Sequence, residues 1–348
     1  MHRISVIGGG MVGSLIYHEL SINHECRLYD LNASNSIPFN ILTDDLNTLL
    51  PVDLIVLAVP GNIGYKALER LIPLGKPIVD ISFFPEDPST LKAELRKNGN
   101  SLIHDCGVAP GFDNIALGHY TSRYSIEKFR CLVGGLPLEK NPPINYKAPF
   151  SPSDVIEEYV RPARFRRDGK NISMDALTEI ELIKHHKYGE LEAFNSDGLR
   201  SLLESFPDIP NMVEKTLRYP GHAQQMALLR EAGFFESEML ELTSKRLFKL
   251  WELKPDDPEF TLMLIDIESK DGKKIGIELS AERNDEGWSS MTQTTGYNCT
   301  AAVEWTLKNP KLDPGLYSPE KLGAIPSYWD FLLDYLKGKG ISIQITES

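Results

Sequence analysis

The stretch Arg3-Ile4-Ser5-Val6-Ile7-Gly8-Gly9-Gly10-Met11-Val12-Gly13 decides how the N-terminal region folds. An apolar strand runs directly into the pattern G-x-G-x-x-G, and a helical pattern follows it. The next apolar run, Cys26-Arg27-Leu28-Tyr29, ends on Asp30. This arrangement is typical of a dinucleotide-binding βαβ unit, in which glycines admit a pyrophosphate at the helix N-terminus and the acid accepts hydrogen bonds from a ribose. A glycine-rich turn in another α/β protein is the alternative.

Asp30 also predicts which nicotinamide nucleotide is bound. A carboxylate repels the 2′-phosphate of NADP, and the following Leu31 and Asn32 supply no positive charge to offset that repulsion. We therefore expect NAD as the cofactor. The residues expected to hold it in this unit are Gly8, Gly10, Met11, Val12, Asp30 and Leu31.

Composition excludes several classes of partner. Lys and Arg total 37 and Asp and Glu total 49, for a net charge of −12, which argues against nucleic acid and anionic membranes. No apolar run approaches membrane-spanning length. Four separated cysteines show neither metal-ligand nor disulfide-framework spacing, so we expect no metal. Only Met1-His2 precede the first strand, which leaves no room for a signal peptide, and we expect a cytoplasmic protein.

Residues 1 to about 112 alternate between apolar strands and helical patterns. Val52 to Val59 is apolar apart from Asp53, as expected for a parallel strand covered on both faces, and 77–82 gives a further strand. Such crossovers predict a doubly wound parallel sheet, whose ligands bind beyond the carboxyl ends of its strands. There we expect mostly backbone contacts to the cofactor, at Ala58, Val59, Pro60, Ile81 and Ser82.

The pattern changes after Gly111. A hairpin is predicted around Asp168-Gly169, and a longer one by the alternating runs 261–268 and 274–282. The predicted helices of this region are 153–159, 199–206, 223–232, 238–251 and 300–307. The fold class is therefore α/β, a Rossmann doubly wound parallel sheet with a second, α+β domain whose sheet is mostly antiparallel.

A series of motifs along the chain resembles a known family. They are Asp105-Cys106-Gly107-Val108-Ala109-Pro110-Gly111-Phe112, Val133-Gly134-Gly135-Leu136-Pro137, Glu192-Ala193-Phe194, Asp197-Gly198-Leu199-Arg200, Thr216-Leu217-Arg218-Tyr219-Pro220-Gly221-His222 and Thr294-Thr295-Gly296-Tyr297. With the glycine fingerprint, this series resembles the saccharopine dehydrogenase family over nearly the whole chain. It is most similar to the L-lysine 6-dehydrogenases and the glutamate-forming saccharopine reductases.

The resemblance implies a domain organisation and a reaction. A Rossmann domain of residues 1–112 and 290–348 surrounds an inserted substrate-binding and dimerisation domain of residues 113–289, and the protein is a homodimer. Family members pass hydride from a C–N bond to the nicotinamide, and water opens the resulting imine. For this chain we expect NAD-dependent oxidative deamination of L-lysine at the ε-amine. The products are ammonia, NADH and the 6-semialdehyde, which cyclises to piperideine-6-carboxylate.

The motifs also supply candidate site residues. Arg218 is the first choice for the clamp on the substrate carboxylate, because a guanidinium binds a carboxylate through paired hydrogen bonds, and Arg200 is the second. Asp197 is expected to fix Arg200 or the substrate amine, or alternatively to open a helix. The other candidates are Thr295 for substrate, Ala109 for cofactor, and Cys106, Asp105 and His222 for catalysis. Each also has a structural interpretation, such as a surface arginine or a small buried cysteine.

His185 and His186 are further candidates for the general base. Neighbouring residues on a strand point to opposite faces, so at most one of the two is expected to face a site.

Three alternatives to lysine deamination remain at this point. A saccharopine reductase needs a second basic anchor for its second dicarboxylate arm, for which Arg161, Arg164, Arg166 and Arg167 are candidates. A carboxynorspermidine synthase is another member of the same family. A non-catalytic NAD-binding sensor belongs to a different class and demands cofactor binding without turnover of any amine.

Overall fold

The computed structural model describes residues 1–149, 152–309 and 312–348, which divide into two compact units. The first unit comprises Met1–His119 and Gln293–Lys339, and the second comprises Tyr120–Thr292 and Gly340–Ser348. No helix in the described ranges is both long and apolar enough to cross a membrane.

The strands are numbered along the chain. They are β1 Arg3–Ile7, β2 Glu25–Asp30, β3 Ile37–Pro38, β4 Leu54–Leu57, β5 Ile78–Asp80, β6 Ser101–Ile103, β7 Ile126–Pro137, β8 Ala163–Arg167, β9 Lys170–Met174, β10 Glu181–His185, β11 Gly189–Asn195, β12 Asn211–Arg218, β13 Glu259–Ser269, β14 Lys274–Glu282, β15 Gly315–Tyr317 and β16 Ser342–Glu347.

The α-helices are numbered in the same way. They are α1 Met11–Ser21, α2 Gly61–Leu71, α3 Lys92–Asn98, α4 Phe112–Thr121, α5 Pro152–Val160, α6 Leu202–Ser205, α7 His222–Glu231, α8 Ser237–Leu250, α9 Ser290–Lys308, α10 Pro319–Gly323 and α11 Pro326–Gly338.

The first unit contains a parallel sheet. Among its described residues the sheet has seven strands in the order β15-β6-β5-β4-β1-β2-β3, and the strand pairs are parallel. Strand β4 is buried along its whole length, which explains its unbroken apolar sequence. Its last residue, Leu57, belongs to the same hydrophobic core cluster as Ile7 of β1 and Leu68 of α2. The predicted Rossmann-type sheet is confirmed.

The second unit contains a mixed sheet. In the described part of this unit the main strand order is β10-β11-β12-β7-β13-β14-β16, with β8 paired to β12 and β9. The β12–β7 pair is parallel, and the other pairs are antiparallel. Both predicted hairpins are present, and the first turns at Asp168 and Gly169, which have φ values of 49° and 75°. The predicted mostly antiparallel sheet is confirmed.

The predicted domain boundaries need two corrections. Most of α4 belongs to the first unit rather than to the insert, because Gly118 packs so closely that a Cβ there would lie 2.1 Å from the carbonyl oxygen of Glu320. Residues 340–348 belong to the second unit rather than to the Rossmann domain, because β16 pairs with β14.

Two helices also differ from their predicted ranges. The helix expected at 300–307 already begins at Ser290, so the motif 294–297 lies inside α9. A Cβ on Gly296 would lie 2.6 Å from a methyl carbon of Leu15, so the glycine lets α9 pack closely on this side chain of α1. The helix expected at 199–206 is reduced to the four residues of α6.

Candidate cofactor and substrate sites

The turn between β1 and α1 has the geometry that a phosphate-binding loop requires. Gly8 has a φ of 104°, and a Cβ there would lie 2.2 Å from the carbonyl oxygen of Ala58, so only glycine fits. A Cβ on Gly10 would meet no atom within 4 Å, so the space beside it is open. No side chain caps the N-terminus of α1. The backbone N–H groups of its first turn, which begins with Met11 and Val12, are therefore available to a phosphate.

Asp30 ends β2 and is held by backbone donors. Its Oδ2 accepts a hydrogen bond from Gly9 N at 2.7 Å, and its Oδ1 accepts from Asn32 N at 2.7 Å and Ala33 N at 2.9 Å. Burial alone would raise the pKa of Asp30, but these donors outweigh it and lower the pKa below its usual value. Oδ2 retains an acceptor position for a hydroxyl group. The next residue, Leu31, is exposed.

The ends of β4 and β5 supply the other predicted cofactor residues. Ala58, Val59 and Pro60 connect β4 to α2, and Ile81 and Ser82 directly follow β5. Backbone N–H groups of Ala58 and Ile81 donate to the neighbouring strands β1 and β4, which continues the sheet to this edge. The parallel sheet therefore brings these residues to the same edge as the glycine turn and Asp30.

Asp80, the last residue of β5, is a titratable group that sequence reasoning missed. It is completely buried, and its Oδ1 accepts from Ser82 N at 3.1 Å and Ser82 Oγ at 2.6 Å. Its Oδ2 has no hydrogen-bond partner among the described residues. Burial raises the pKa of Asp80 to about 7 although Ser82 opposes the shift. A carboxyl inside the apolar run Ile78-Val79-Asp80-Ile81 was the available signal.

The catalytic candidates Cys106 and Asp105 are buried in the loop after β6. The Cys106 Sγ lies 3.7 Å from the carbonyl oxygen of Ile103, and burial raises the pKa of this thiol well above its usual value. A reactive thiolate is therefore disfavoured. Asp105 has a φ of 55°, and its Oδ2 lies 3.2 Å from Nδ1 of His104. Catalytic roles for Cys106 and Asp105 stay predictions.

The same loop contacts α9. Asn298 Nδ2 donates to the carbonyl oxygen of Gly107 at 2.5 Å, and a Cβ on Gly107 would lie 3.5 Å from Cγ2 of Thr295. Gly111 has a φ of 146° and closes the loop against the Gly107 backbone. The structure therefore brings the substrate candidate Thr295 next to the loop that contains Ala109.

Arg218 ends β12 in the second unit and is 1% exposed. Its Nη2 donates to Oε2 of Glu158 at 2.8 Å, and its Nη1 donates to the carbonyl oxygen of Leu217 at 2.8 Å. The guanidinium carbon lies 4.3 Å from the ring centroid of Tyr146. Burial alone would lower the pKa of Arg218, but the neighbouring Tyr146, Tyr159 and Glu158 raise it, so the group stays charged. Arg218 is thus not a surface arginine.

His222 is the first residue of α7, close to this arginine. Its Nε2 lies 2.8 Å from the Tyr159 hydroxyl, and its Nδ1 lies 3.3 Å from the carbonyl oxygen of Ile144. Burial and the charge of Arg218 lower the pKa of His222 to about 3. The ring is therefore neutral near pH 7, with Nδ1 donating to Ile144 and Nε2 accepting from Tyr159. Its role as a base stays a prediction.

Glu192 holds the turn between Arg218 and His222. It is part of the motif Glu192-Ala193-Phe194, and the sequence predicts no role for it. It pairs with Arg218 in the β11–β12 register and is 3% exposed. Its Oε2 accepts from Gly221 N at 2.8 Å, and its Oε1 accepts from Ala223 N at 2.6 Å. A carboxylate thus caps the N-terminus of α7, where negative charge is stabilising.

Asp197 has a partner that was not predicted. Its two carboxylate oxygens accept from Nε and Nη2 of Arg164, both at 2.9 Å. It does not open a helix, because α6 begins only at Leu202. Arg200 lies in the preceding turn with a φ of 47°. Substrate contacts by Asp197 and Arg200 stay predictions.

The rings of the adjacent histidines do not diverge as predicted, because only His185 belongs to β10. The His186 ring lies 4.4 Å from that of His185, centroid to centroid. These two residues and Glu278 form a cluster with metal-ligand chemistry. However, His185 Nδ1 accepts from the N–H groups of Lys187 and Tyr188, so the neutral ring carries its proton on Nε2, 3.4 Å from Glu278. A protonated Nε2 fits a contact to a carboxylate better than a metal ligand.

Comparison with known proteins agrees with the motif series. The model of the saccharopine dehydrogenase C-terminal domain matches residues 107–341. This chain belongs to the saccharopine dehydrogenase family. It is 21% identical over 270 residues to the NADP(+), L-glutamate-forming saccharopine dehydrogenase of Saccharomyces cerevisiae. This match covers 70% of the chain and 60% of the yeast relative. It is 25% identical over 220 residues to alpha-aminoadipic semialdehyde synthase of Arabidopsis thaliana, covering 56% of the chain and 20% of the relative. The matched part is thus less than two thirds of either relative.

A solved structure confirms the fold. Apo saccharopine dehydrogenase (L-Glu forming) from Saccharomyces cerevisiae superimposes with a TM-score of 0.82 at 17% sequence identity, and the match covers 100% of both chains. The predicted family and the predicted fold class are therefore both correct.

Proposed function

We propose that this family member is an NAD-dependent dehydrogenase that oxidises a C–N bond of an amino acid, with the ε-amine of L-lysine as its substrate. The cofactor edge of the first unit carries the proposal. The open space at Gly10, the uncapped N-terminus of α1 and the ionised Asp30 fit a pyrophosphate and an unphosphorylated ribose.

The chemistry places different demands on the two units. When bound, NAD accepts hydride from the carbon that bears the amine. The second unit binds the substrate carboxylate through Arg218, whose charge is preserved in a buried position. The reacting amine must be neutral, because an ammonium has no lone pair to release the hydride.

A free lysine side chain has a pKa of about 10.4, so kcat/KM should increase towards alkaline pH. A profile that peaks below neutral pH would contradict direct oxidation of the amine.

The candidate anchors for a larger substrate are paired with other groups of the chain, as Arg218 is with Glu158. Arg164 binds Asp197, Arg167 binds Glu179 at 2.7 Å, and Arg166 donates to backbone carbonyl oxygens of 203, 206 and 209. Arg161 lies 3.6 Å from Glu157. A second dicarboxylate arm would have to displace one of these partners.

Oxidation of saccharopine is the second candidate, and the names of the relatives favour it. Several are called saccharopine dehydrogenases that form L-glutamate, with NADP(+) as the cofactor. Asp30 argues against NADP here, so cofactor and substrate preference are tested together.

The decisive experiment measures formation of the reduced cofactor by its absorbance while a panel of amines is supplied as substrates. Lysine, saccharopine and related amines are each assayed with NAD and with NADP. Lysine turnover with NAD is the expected result, and turnover restricted to saccharopine would replace the first candidate with the second. Cofactor binding without turnover of any amine would favour a sensor.

We also propose that the protein is a homodimer, as the family resemblance implies. Light scattering on the purified protein should then give twice the 39.1 kDa chain mass. A mass equal to one chain would contradict this.

A further inference from the structure

Three buried donors near Arg218 have no acceptor among the described residues. They are Nε of Arg218, the hydroxyl of Tyr146 and Nε1 of Trp251. All three side chains are at most 1% exposed. The guanidinium of Arg218 lies over the Tyr146 ring, and the centroids of Tyr146 and Trp251 are 5.4 Å apart. The three side chains therefore adjoin one another in one cluster.

Buried donors of this kind call for an acceptor. Leaving a buried donor unpaired is costly, and folded proteins pair nearly all such groups. Nearby His222 is neutral and already accepts from Tyr159, so it does not meet this need. Carboxylate oxygens of a ligand would meet it.

The charges in the cluster narrow the class of ligand. The buried ion pair of Arg218 and Glu158 has no net charge, and Asp154 places a further, partly exposed negative charge near Glu158. A carboxylate alone would leave one buried negative charge, and an ammonium alone would leave one positive charge, and both are costly. A zwitterion preserves neutrality. The Glu158 side chain is 27% exposed, but burial of its carboxyl raises the pKa of Glu158 against the effect of Arg218. A ligand ammonium beside this carboxyl would favour its charged form.

We propose that Arg218 and Glu158 together bind the zwitterionic head group of an α-amino acid. The guanidinium of Arg218, with the Tyr146 hydroxyl and the Trp251 N–H, donates to its carboxylate, and the Glu158 carboxylate accepts from its α-ammonium. The inference rests on the proposed function for its choice of an amino acid, and it adds Glu158 as the residue that selects the α-amino group.

The test compares ligands that lack one half of the head group. Titration calorimetry, with and without NAD, measures Kd for L-lysine, for 6-aminohexanoate, which lacks the α-amino group, and for cadaverine, which lacks the carboxylate. Wild-type protein should bind lysine at least tenfold more tightly than either analogue. Glu158→Gln should weaken lysine binding at least tenfold and leave 6-aminohexanoate nearly unchanged.

The neighbouring Glu157 provides a matched control. Its side chain is 53% exposed and contacts Arg161, so Glu157→Gln should leave all three Kd values unchanged. Glu158→Asp, which keeps the charge, should restore part of the preference for lysine. If Glu158→Gln does not fold, the Glu158→Asp variant and the wild-type ligand series still decide the question.

The outcomes separate this inference from the proposed function. Equal affinity of the wild-type protein for lysine and 6-aminohexanoate, an equal loss for both in Glu158→Gln, or no binding at all would overturn the inference. The first two results are compatible with turnover of lysine. Glu158-dependent binding without turnover of any amine would instead overturn the proposed function and support the inference.

Discussion

Asp30 and Arg218 are both charged residues at the ends of strands, but their charges are stabilised in opposite ways. Asp30 is partly exposed and accepts hydrogen bonds from three backbone N–H groups within its own βαβ unit. Arg218 is buried, and its charge is balanced by Glu158, which lies 60 positions earlier in the chain. The first arrangement depends mainly on backbone geometry, and the second depends on distant side chains. Substitutions should therefore act independently at Asp30 and cooperatively around Arg218.

The largest effect is expected from Arg218→Ala. Removing one partner leaves Glu158 without its counterion, which should lower the free energy of unfolding by about 3 kcal/mol, since part of Glu158 remains exposed. Adding Glu158→Gln should recover part of this loss. A double-mutant cycle in urea measures the coupling, and strictly additive losses would show that the two residues are as independent as we expect Asp30 to be.

Arg218→Ala should also reduce kcat/KM for lysine roughly ten- to a hundredfold, because the proposed charge-assisted contact to the substrate carboxylate is lost. NAD affinity should stay unchanged, since Arg218 lies in the second unit. Steady-state kinetics and NAD titration check both results. Weaker NAD binding would mean that the two units do not divide the tasks as proposed.

Asp80 should behave in the opposite way to Asp30 as pH changes. The folded state raises the pKa of Asp80 to about 7, so it favours the protonated carboxyl. This contribution to stability is complete below the unfolded pKa near 4 and is lost as pH increases towards 7, at about 1.4 kcal/mol per unit of pKa shift. Stability of the wild type should therefore fall by about 3 kcal/mol over that range relative to Asp80→Asn.

Chemical unfolding of both proteins from pH 4.5 to 8 measures this difference. Asp53→Asn, at a partly exposed aspartate of the same unit, serves as the control. Parallel stability curves for the wild type and Asp80→Asn would show that the buried carboxyl is ionised throughout.

Asp30→Ser should change cofactor preference by a smaller free energy. Loss of the carboxylate should weaken NAD binding and reduce the ratio of kcat/KM with NAD to kcat/KM with NADP by tenfold or more. Tenfold corresponds to about 1.4 kcal/mol. The ratio of kcat/KM values for the two cofactors is the measurement. Asp53→Ser, which also removes a carboxylate that accepts a backbone N–H, should leave the ratio unchanged. A wild-type preference for NADP would refute this interpretation of the ribose site.

The smallest effect is expected from Glu192→Gln. The amide would place an N–H group against Gly221 N or Ala223 N, so the cap of α7 should weaken by about 1 kcal/mol. Because the turn carries Arg218 and His222, KM for lysine should increase several-fold while kcat changes little. A fall in kcat at constant KM would contradict a positioning role.

The range of each interaction along the chain explains what the sequence could predict. The turn at Gly8 and the acid at Asp30 follow from local geometry, because backbone contacts repeat wherever that βαβ unit forms. The partners of Arg218 and Asp197 depend on tertiary packing, and no spacing pattern encodes them. The early start of α9 at Ser290 was missed because its Ser- and Thr-rich first turns have modest helix propensity, which packing overrides.

The return of β16 to the second sheet has a consequence for biosynthesis. Each unit consists of two separated segments, so the backbone passes from one unit to the other three times. A ribosome releases strands β1 to β6 of the parallel sheet, then most of the second unit, then the edge strand β15 and finally β16. Neither unit is complete until almost the entire described chain has emerged. Removal of residues 340–348 should therefore damage the mixed sheet and not the Rossmann-type domain whose last helix directly precedes them.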